Sequence, residues 1–367
     1  MAVVGAPDVE RERGVDHWAY ALLVFALPLL GSAVLEAAAS LAAERCPRPR
    51  VAGAGLLVLA VALGVCGLTD TSAGLALGLG LAGAASGIAC SVAQVELIAV
   101  SRDGPERAMT RWALFGELGD GLTPLLTAWV LSVGGSYRVV FLLAAALALG
   151  HGLLLIFSAG AGSNPASDEE LESAPLLDAV RVGLKNRALW TWLLAAALCT
   201  FLDELVIAFG ALRAEHDLGA SAAAATACVT GAAFGAALGA AATGRLLVSV
   251  SADRVLVGSA LATLGALAAV VLAPSVPALG VALTVLGAAA APQYALLQAK
   301  AYASVPGRPG VVNAFAQIFV VLDVVGPLAL GALAERAGLP AALAALALQP
   351  LGVLVILGWS RRRRPAA

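Results

Sequence analysis

The sequence predicts an all-α integral membrane protein built as two pseudo-symmetric helical bundles of five and six transmembrane helices. Three observations carry that prediction. Apolar stretches of about 20 residues recur along the whole chain, each long enough to cross roughly 30 Å of hydrocarbon as a helix. Mean hydropathy is +0.92 with only 13% charged residues, where soluble domains carry roughly a quarter, so a water-soluble fold is excluded. One stretch alone, residues 159–188, turns to Ser, Asn, Pro and a run of acids (Asp168, Glu169, Glu170, Glu172), and it separates five spans from six.

Taken in order, apolar runs bounded by charge, Pro or Gly place spans at 18–43, 51–69, 74–100, 112–133 and 139–158. Beyond the linker they fall at 189–212, 220–244, 255–273, 276–299, 310–334 and 339–359. Ala, Leu, Gly and Val dominate them, and small residues let helices approach closely where water supplies no driving force between spans. The domain boundaries that follow are a polar N-terminal tail (1–17), a five-helix bundle (18–158), the linker (159–188), a six-helix bundle (189–359) and a basic tail (360–367).

Lys and Arg excess in short loops marks the cytoplasmic side. The segments after the odd-numbered spans carry seventeen bases, from Arg45, Arg48 and Arg50 to Arg361, Arg362, Arg363 and Arg364, whereas the intervening loops carry only Arg138, Arg213 and Arg336. This bias predicts a cytoplasmic C-terminus and, with an odd number of spans, an exterior N-terminus. The first apolar run is too long for a signal peptide and no basic segment precedes it. The five cysteines, Cys46, Cys66, Cys90, Cys199 and Cys228, have neither metal-site nor redox-pair spacing and read as packing residues.

The two halves also repeat. A shift of 203 residues lays Asp120 and Pro124 on Asp323 and Pro327; a shift of 204 lays Arg50-Val51 on Arg254-Val255 and Gly31 on Gly235. Under this shift the counterpart of span 189–212 falls mostly before Met1, so the first half is expected to lack its opening helix. The tail from Asp8 to Asp16 instead resembles the loop Arg213 to Gly219.

With these features in place, the chain resembles the major facilitator superfamily, five plus six helices standing for six plus six. The segment from Ser40 to Arg50 matches an altered form of that family's loop Gly-x-x-x-Asp-Arg-x-Gly-Arg-Arg: Glu44, Arg45 and Arg48 are kept and both glycines are replaced. Arg102 to Arg111 leading into a Gly- and Pro-bearing helix is a second shared feature, and the resemblance covers nearly the whole chain after residue 8. It implies alternating access between two bundles, and a gating role for the loop-side residues Glu36, Glu44, Arg45, Arg48, Glu96, Arg107 and Arg111.

Acids inside spans are the most informative side chains, because a charge at mid-bilayer costs roughly 3 kcal/mol on insertion scales and persists where it faces a cavity or a partner. Asp120, Asp203, Glu204 and Asp323 fall near the middle of their spans, and Glu36, Glu96 and Glu117 in the cytoplasmic half. Glu117 and Asp120, three residues apart, share a helix face. The midplane acids with Glu117 are the expected proton or cation cluster, and Gln94, Gln293, Asn313 and Gln317 are expected to line the same substrate cavity; Gln298 is a further candidate. As neutral polar groups these could equally hydrogen-bond between helices. Glu36, Glu96 and Glu117 could likewise pair with loop arginines. Trp112 is a stacking or interfacial residue. His151 is a packing residue in preference to a proton relay, and the four terminal arginines are either a topological stop or an attraction for anionic lipid.

The expected function is a secondary transporter of small, cationic or amphiphilic organic molecules, a proton-coupled exporter of a bacterial inner membrane, with the bilayer, substrate and protons as its partners. It is expected to act as a monomer, without cofactor, metal or nucleic acid. The alternatives are a non-transporting or partner-dependent form lacking its first helix and, last, an intramembrane enzyme. No His-Glu-x-x-His or serine nucleophile with a partner His supports the last.

Overall fold

A computed structural model describes residues 27–158 and 176–362, apart from the side chains of a few positions, Asp203 and Glu204 among them. The tail 1–17, the expected missing opening helix, the acidic part of the linker and the side chains of Arg361, Arg362, Arg363 and Arg364 lie outside the described residues.

The first half contributes α1 (Leu27–Ala42), α2 (Arg48–Leu68), α3 (Ser72–Val100), α4 (Pro105–Ser132) and α5 (Tyr137–Ser158). A short α6 (Leu176–Lys185) precedes α7 (Arg187–His216), α8 (Ala222–Leu246), α9 (Ala252–Leu272) and α10 (Val276–Ser304). Then α11 (Pro309–Ala316) passes through one 3-10 turn (Gln317–Phe319) into α12 (Val320–Ala337), followed by α13 (Leu339–Ala345) and α14 (Leu348–Arg362). Among the described residues nine helical segments are long and apolar enough to cross a membrane, α11 to α12 and α13 to α14 each counting as one. With α1 and the more charged α4 they overlap the predicted spans, residues 18–26 of the first span lying outside the described residues.

The helices are apolar on both sides, with size rather than polarity separating inside from outside. On α2, Ala52, Gly53, Gly55, Ala60, Ala62 and Cys66 are buried, while Val58, Val61, Val65 and Leu68 are exposed. Lipid tails solvate Leu and Val as well as a protein core does, so close backbone packing decides which face turns inward. The tightest case is α8 against α10. A Cβ at Gly235, Gly239 or Gly287 would lie 2.0, 2.2 and 2.2 Å from the backbone oxygens of Thr284, Ala288 and Ala232.

Packing repeats between the halves. In the first, α1 lies on α3, and α2 lies on α3 and α5; in the second, α8 lies on α10, and α9 lies on α10 and α14. This is the pairing that a shift of about 204 residues requires.

By their contacts the residues form two compact units that the chain visits more than once. One comprises Met1–Val100, Leu122–Lys185 and Val305–Val320, the other Ser101–Gly121, Asn186–Ser304 and Val321–Ala367. The two segments that leave their own half, Ser101–Gly121 and Val305–Val320, are themselves related by the repeat shift. Thus α11 packs on α1 and α3, and the start of α4 reaches α8, where Thr110 Cγ2 lies 3.8 Å from a Cβ built on Gly244.

Candidate functional site

Asp323, in the first turn of α12, accepts a hydrogen bond of 2.9 Å from Thr200 Oγ1 on α7. Asp203 and Glu204 follow Thr200 three and four residues along the same helix, which places them on the same face; their side chains lie outside the described residues. Among the described residues no Lys or Arg pairs with Asp323. A mid-span carboxyl held by a hydroxyl rather than a base can take up and release a proton without breaking an ion pair. On α4, Glu117 is half-buried and Asp120 exposed, with Gly116 between them and the charged start of the helix. Neither forms an ion pair among the described residues.

A second polar group ties α11 to the first half. Glu36 Oε2 accepts from Ser91 Oγ at 2.7 Å and from Gln317 Nε2 at 2.9 Å, and Asn313 Nδ2 donates to the Ser91 carbonyl at 3.0 Å. The Glu36 carboxylate fits because residue 87 is glycine: a Cβ there would lie 1.7 Å from Glu36 Oε1. Just past the end of α1, the Glu44 side chain, 3% exposed, accepts from the Gly310 backbone N–H at 2.6 Å and lies 3.5 Å from Arg308. Here a carboxylate meets the N-terminal end of α11, where free N–H groups and the helix dipole favour negative charge.

The remaining loop-side residues separate. Arg48 and Glu96 pair at 3.4 Å. Arg107 and Arg111 both reach Asp103, at 3.6 and 2.7 Å, just ahead of α4. Arg45 is exposed. In the second half Asp253 and Lys300 form a short ion pair, and the ammonium also lies 5.2 Å from the centre of the Trp192 ring. Lys300 is the repeat counterpart of Glu96, and Asp253 stands at the start of α9 as Arg48 stands at the start of α2. The same bracket is therefore built twice with its charges reversed.

Gln293 is fully buried among α7, α9, α10 and α14. Its Nε2 donates to Thr263 Oγ1 at 2.7 Å and its Oε1 accepts from Gln349 Nε2 at 2.9 Å, which also reaches Cys199 Sγ. The geometry is an interhelical staple. Gln94 and Gln298 are buried on α3 and α10. Trp112 is half-buried, and His151 bonds the Leu147 carbonyl of its own helix. Arg213, placed by its charge in a loop, instead lies in the last turn of α7, buried, and donates to the Ala273 carbonyl at 3.3 Å. The α7 helix runs on past the end of the apolar run because helical backbone does not stop where hydropathy does.

Thr200, Ser91, Asp103, Asp253 and Arg308 are absent from the sequence-predicted set. Asp103 and Arg308 flank the helix-starting prolines Pro105 and Pro309, a signal that could have found them. Thr200 and Ser91 carry no such mark.

Helix pairing that repeats between halves, mid-helix carboxyls and a segment of each half crossing into the other define a membrane transporter of the two-bundle class. The chain belongs to the Major Facilitator Superfamily, whose family model matches residues 1–212. It is thus a multi-pass membrane protein of a secondary-transporter family. A search of curated proteins gives no match. Among solved structures, the Escherichia coli ("E.coli") fucose:proton symporter FucP is similar at 16% identity and TM-score 0.79, over 99% of this chain and 94% of that one. FucP in the outward conformation gives 15% and 0.80 over the same shares. The proton:xylose symporter XylE gives 12% and 0.73 over 99% and 91%, and the human organic anion transporter TETRAN 18% and 0.70 over 96% and 89%. At these identities the likeness establishes the fold.

Proposed function

We propose that the chain is a proton-coupled exporter of small cationic or neutral amphiphilic molecules, working by alternating access as a monomer in the cell membrane. The observation that carries this reading is Asp323 held by Thr200 on the helix that bears Asp203 and Glu204. Together with Asp120 and Glu117 these acids form the proton and substrate site, and an acidic interior attracts cations. Two similar folds being proton symporters supports the coupling.

The bundles are 18–158 and 189–359, with the C-terminus cytoplasmic and the N-terminus outside. Glu36 and Glu44, which hold Gln317 and Gly310, act with α11 as the gate on the cytoplasmic side. Glu96, Arg48, Arg107 and Arg111 brace the adjoining loops.

The test uses purified protein in vesicles with an imposed proton gradient and a fluorescent lipophilic cation as the probe. Uphill movement of the dye against the direction of proton flow, abolished by a protonophore, is the expected result. Movement indifferent to the gradient would overturn the reading.

A further inference from the structure

The linker helix α6 is not absorbed by any of the roles above. The residues from Asp178 to Lys185 set one buried position against an exposed or half-buried remainder. Gly183 is buried and abuts α11, where a Cβ would lie 2.4 Å from Phe315 Cε2. On the opposite side stand Asp178, Arg181 and Lys185, with Arg181 73% exposed and bonded to Asp178 at 3.3 Å. Next to Arg181 and Lys185 around the helix, Leu184 is 53% exposed. Only Asn186 separates α6 from α7, and Asn186 is itself fixed, capping α7 and donating to the Ser304 carbonyl at 2.9 Å. A helix whose last residue lies one position from the mouth of a membrane span lies at the membrane surface. An exposed leucine beside Arg181, Lys185 and the exposed Arg187 is the composition that seats in the headgroup layer of an anionic leaflet.

We infer that α6 is a lipid-reading arm: Arg181, Lys185 and Arg187 bind anionic phospholipid headgroups, Leu184 enters the acyl boundary, and the Gly183–Phe315 contact passes that binding to α11. Phe315 sits between Asn313 and Gln317, both of which hold α11 on the first-half helices, so an arm pressed against Phe315 favours the docked position of α11. Anionic lipid then stabilises the conformation described here. This regulatory half rests on the gating role proposed for α11, whereas the lipid contact does not.

The experiment uses the full chain in vesicles of phosphatidylcholine alone or with 30% phosphatidylglycerol. Leu184→Cys, in a background with exposed Cys46 and Cys90 replaced by Ser, carries an environment-sensitive dye, and nitroxide-bearing lipids quench it. Quenching is expected to rise at least twofold with the anionic lipid, and the rise to vanish in Arg181→Gln/Lys185→Gln/Arg187→Gln. Quenching absent or equal in both vesicles overturns the lipid contact. Native Cys46, exposed two residues after Glu44, reports the coupling. Its maleimide labelling is expected to slow severalfold with anionic lipid, and to lose that response in Gly183→Leu while dye quenching persists. Labelling indifferent to lipid, with quenching intact, overturns the coupling alone. Should Glu44→Ala also leave labelling unchanged, it is the gating role of α11 that has failed.

Discussion

Glu44 and Gly310, 266 residues apart, meet through a 2.6 Å hydrogen bond in which a nearly buried carboxylate accepts from the backbone at the start of α11. Helix N-terminal N–H groups lack intrahelical partners, and a carboxylate there contributes roughly 0.5–2 kcal/mol. Glu44→Gln keeps an acceptor but weakens the interaction with Arg308, so Cys46 labelling should rise modestly. Glu44→Ala removes both partners and should raise the rate about tenfold, as a maleimide time course would record. A Glu44→Gln rate equal to that of the unsubstituted protein would remove the charge from the account.

Gly87 exists to admit Glu36. Alanine ordinarily stabilises a helix by roughly 0.5–1 kcal/mol relative to glycine. At Gly87 its methyl would collide with the Glu36 carboxylate, whereas at Gly116 nothing lies within 4 Å. Gly87→Ala should therefore lower the melting temperature in detergent and Gly116→Ala should leave it level or raise it.

The reversed brackets Arg48–Glu96 and Asp253–Lys300 give a charge-exchange test. Glu96→Lys sets like charges together and should lower expression and thermal stability, and Arg48→Glu added to it should restore most of the loss. The partly exposed setting and the 3.4 Å separation limit the Arg48 pair to about 1 kcal/mol. Recovery that fails in the double variant would show that the pair acts through something other than attraction.

Where α8 crosses α10, glycine is needed for backbone approach. Gly239→Ala places a methyl 2.2 Å from the Ala288 carbonyl and must separate the helices, at a cost of roughly 1–3 kcal/mol. A thermal scan in detergent should show a clear fall for Gly239→Ala and little change for Gly258→Ala, which meets open space.

The spans were legible because each needs a long apolar run, and the repeat was legible because Asp120/Asp323 and Pro124/Pro327 keep their spacing. Helix ends were less so: α4 begins at Pro105, inside a charged stretch, since proline fits a first helical turn and charge there is solvated. The α6 helix leaves no mark within the linker sequence, because ten residues of mixed polarity give no hydropathy signal. Of the site, the acids stood out by their cost in a membrane. Their partners did not, for Thr200 and Asp323 lie 123 residues apart and an isolated Thr in a span is unremarkable. Gln293 shows the same limit from the other side, its surroundings being set by three other helices.

Gradient-driven transport compared with exchange at zero gradient tests the central claim most directly. In vesicles, Asp120→Asn/Asp203→Asn/Glu204→Gln/Asp323→Asn should lose uphill movement of the lipophilic cation while still exchanging labelled for unlabelled dye. Uphill accumulation that survives in this fourfold variant, with the protonophore still abolishing it, would contradict the assignment of these carboxyls as the coupling site.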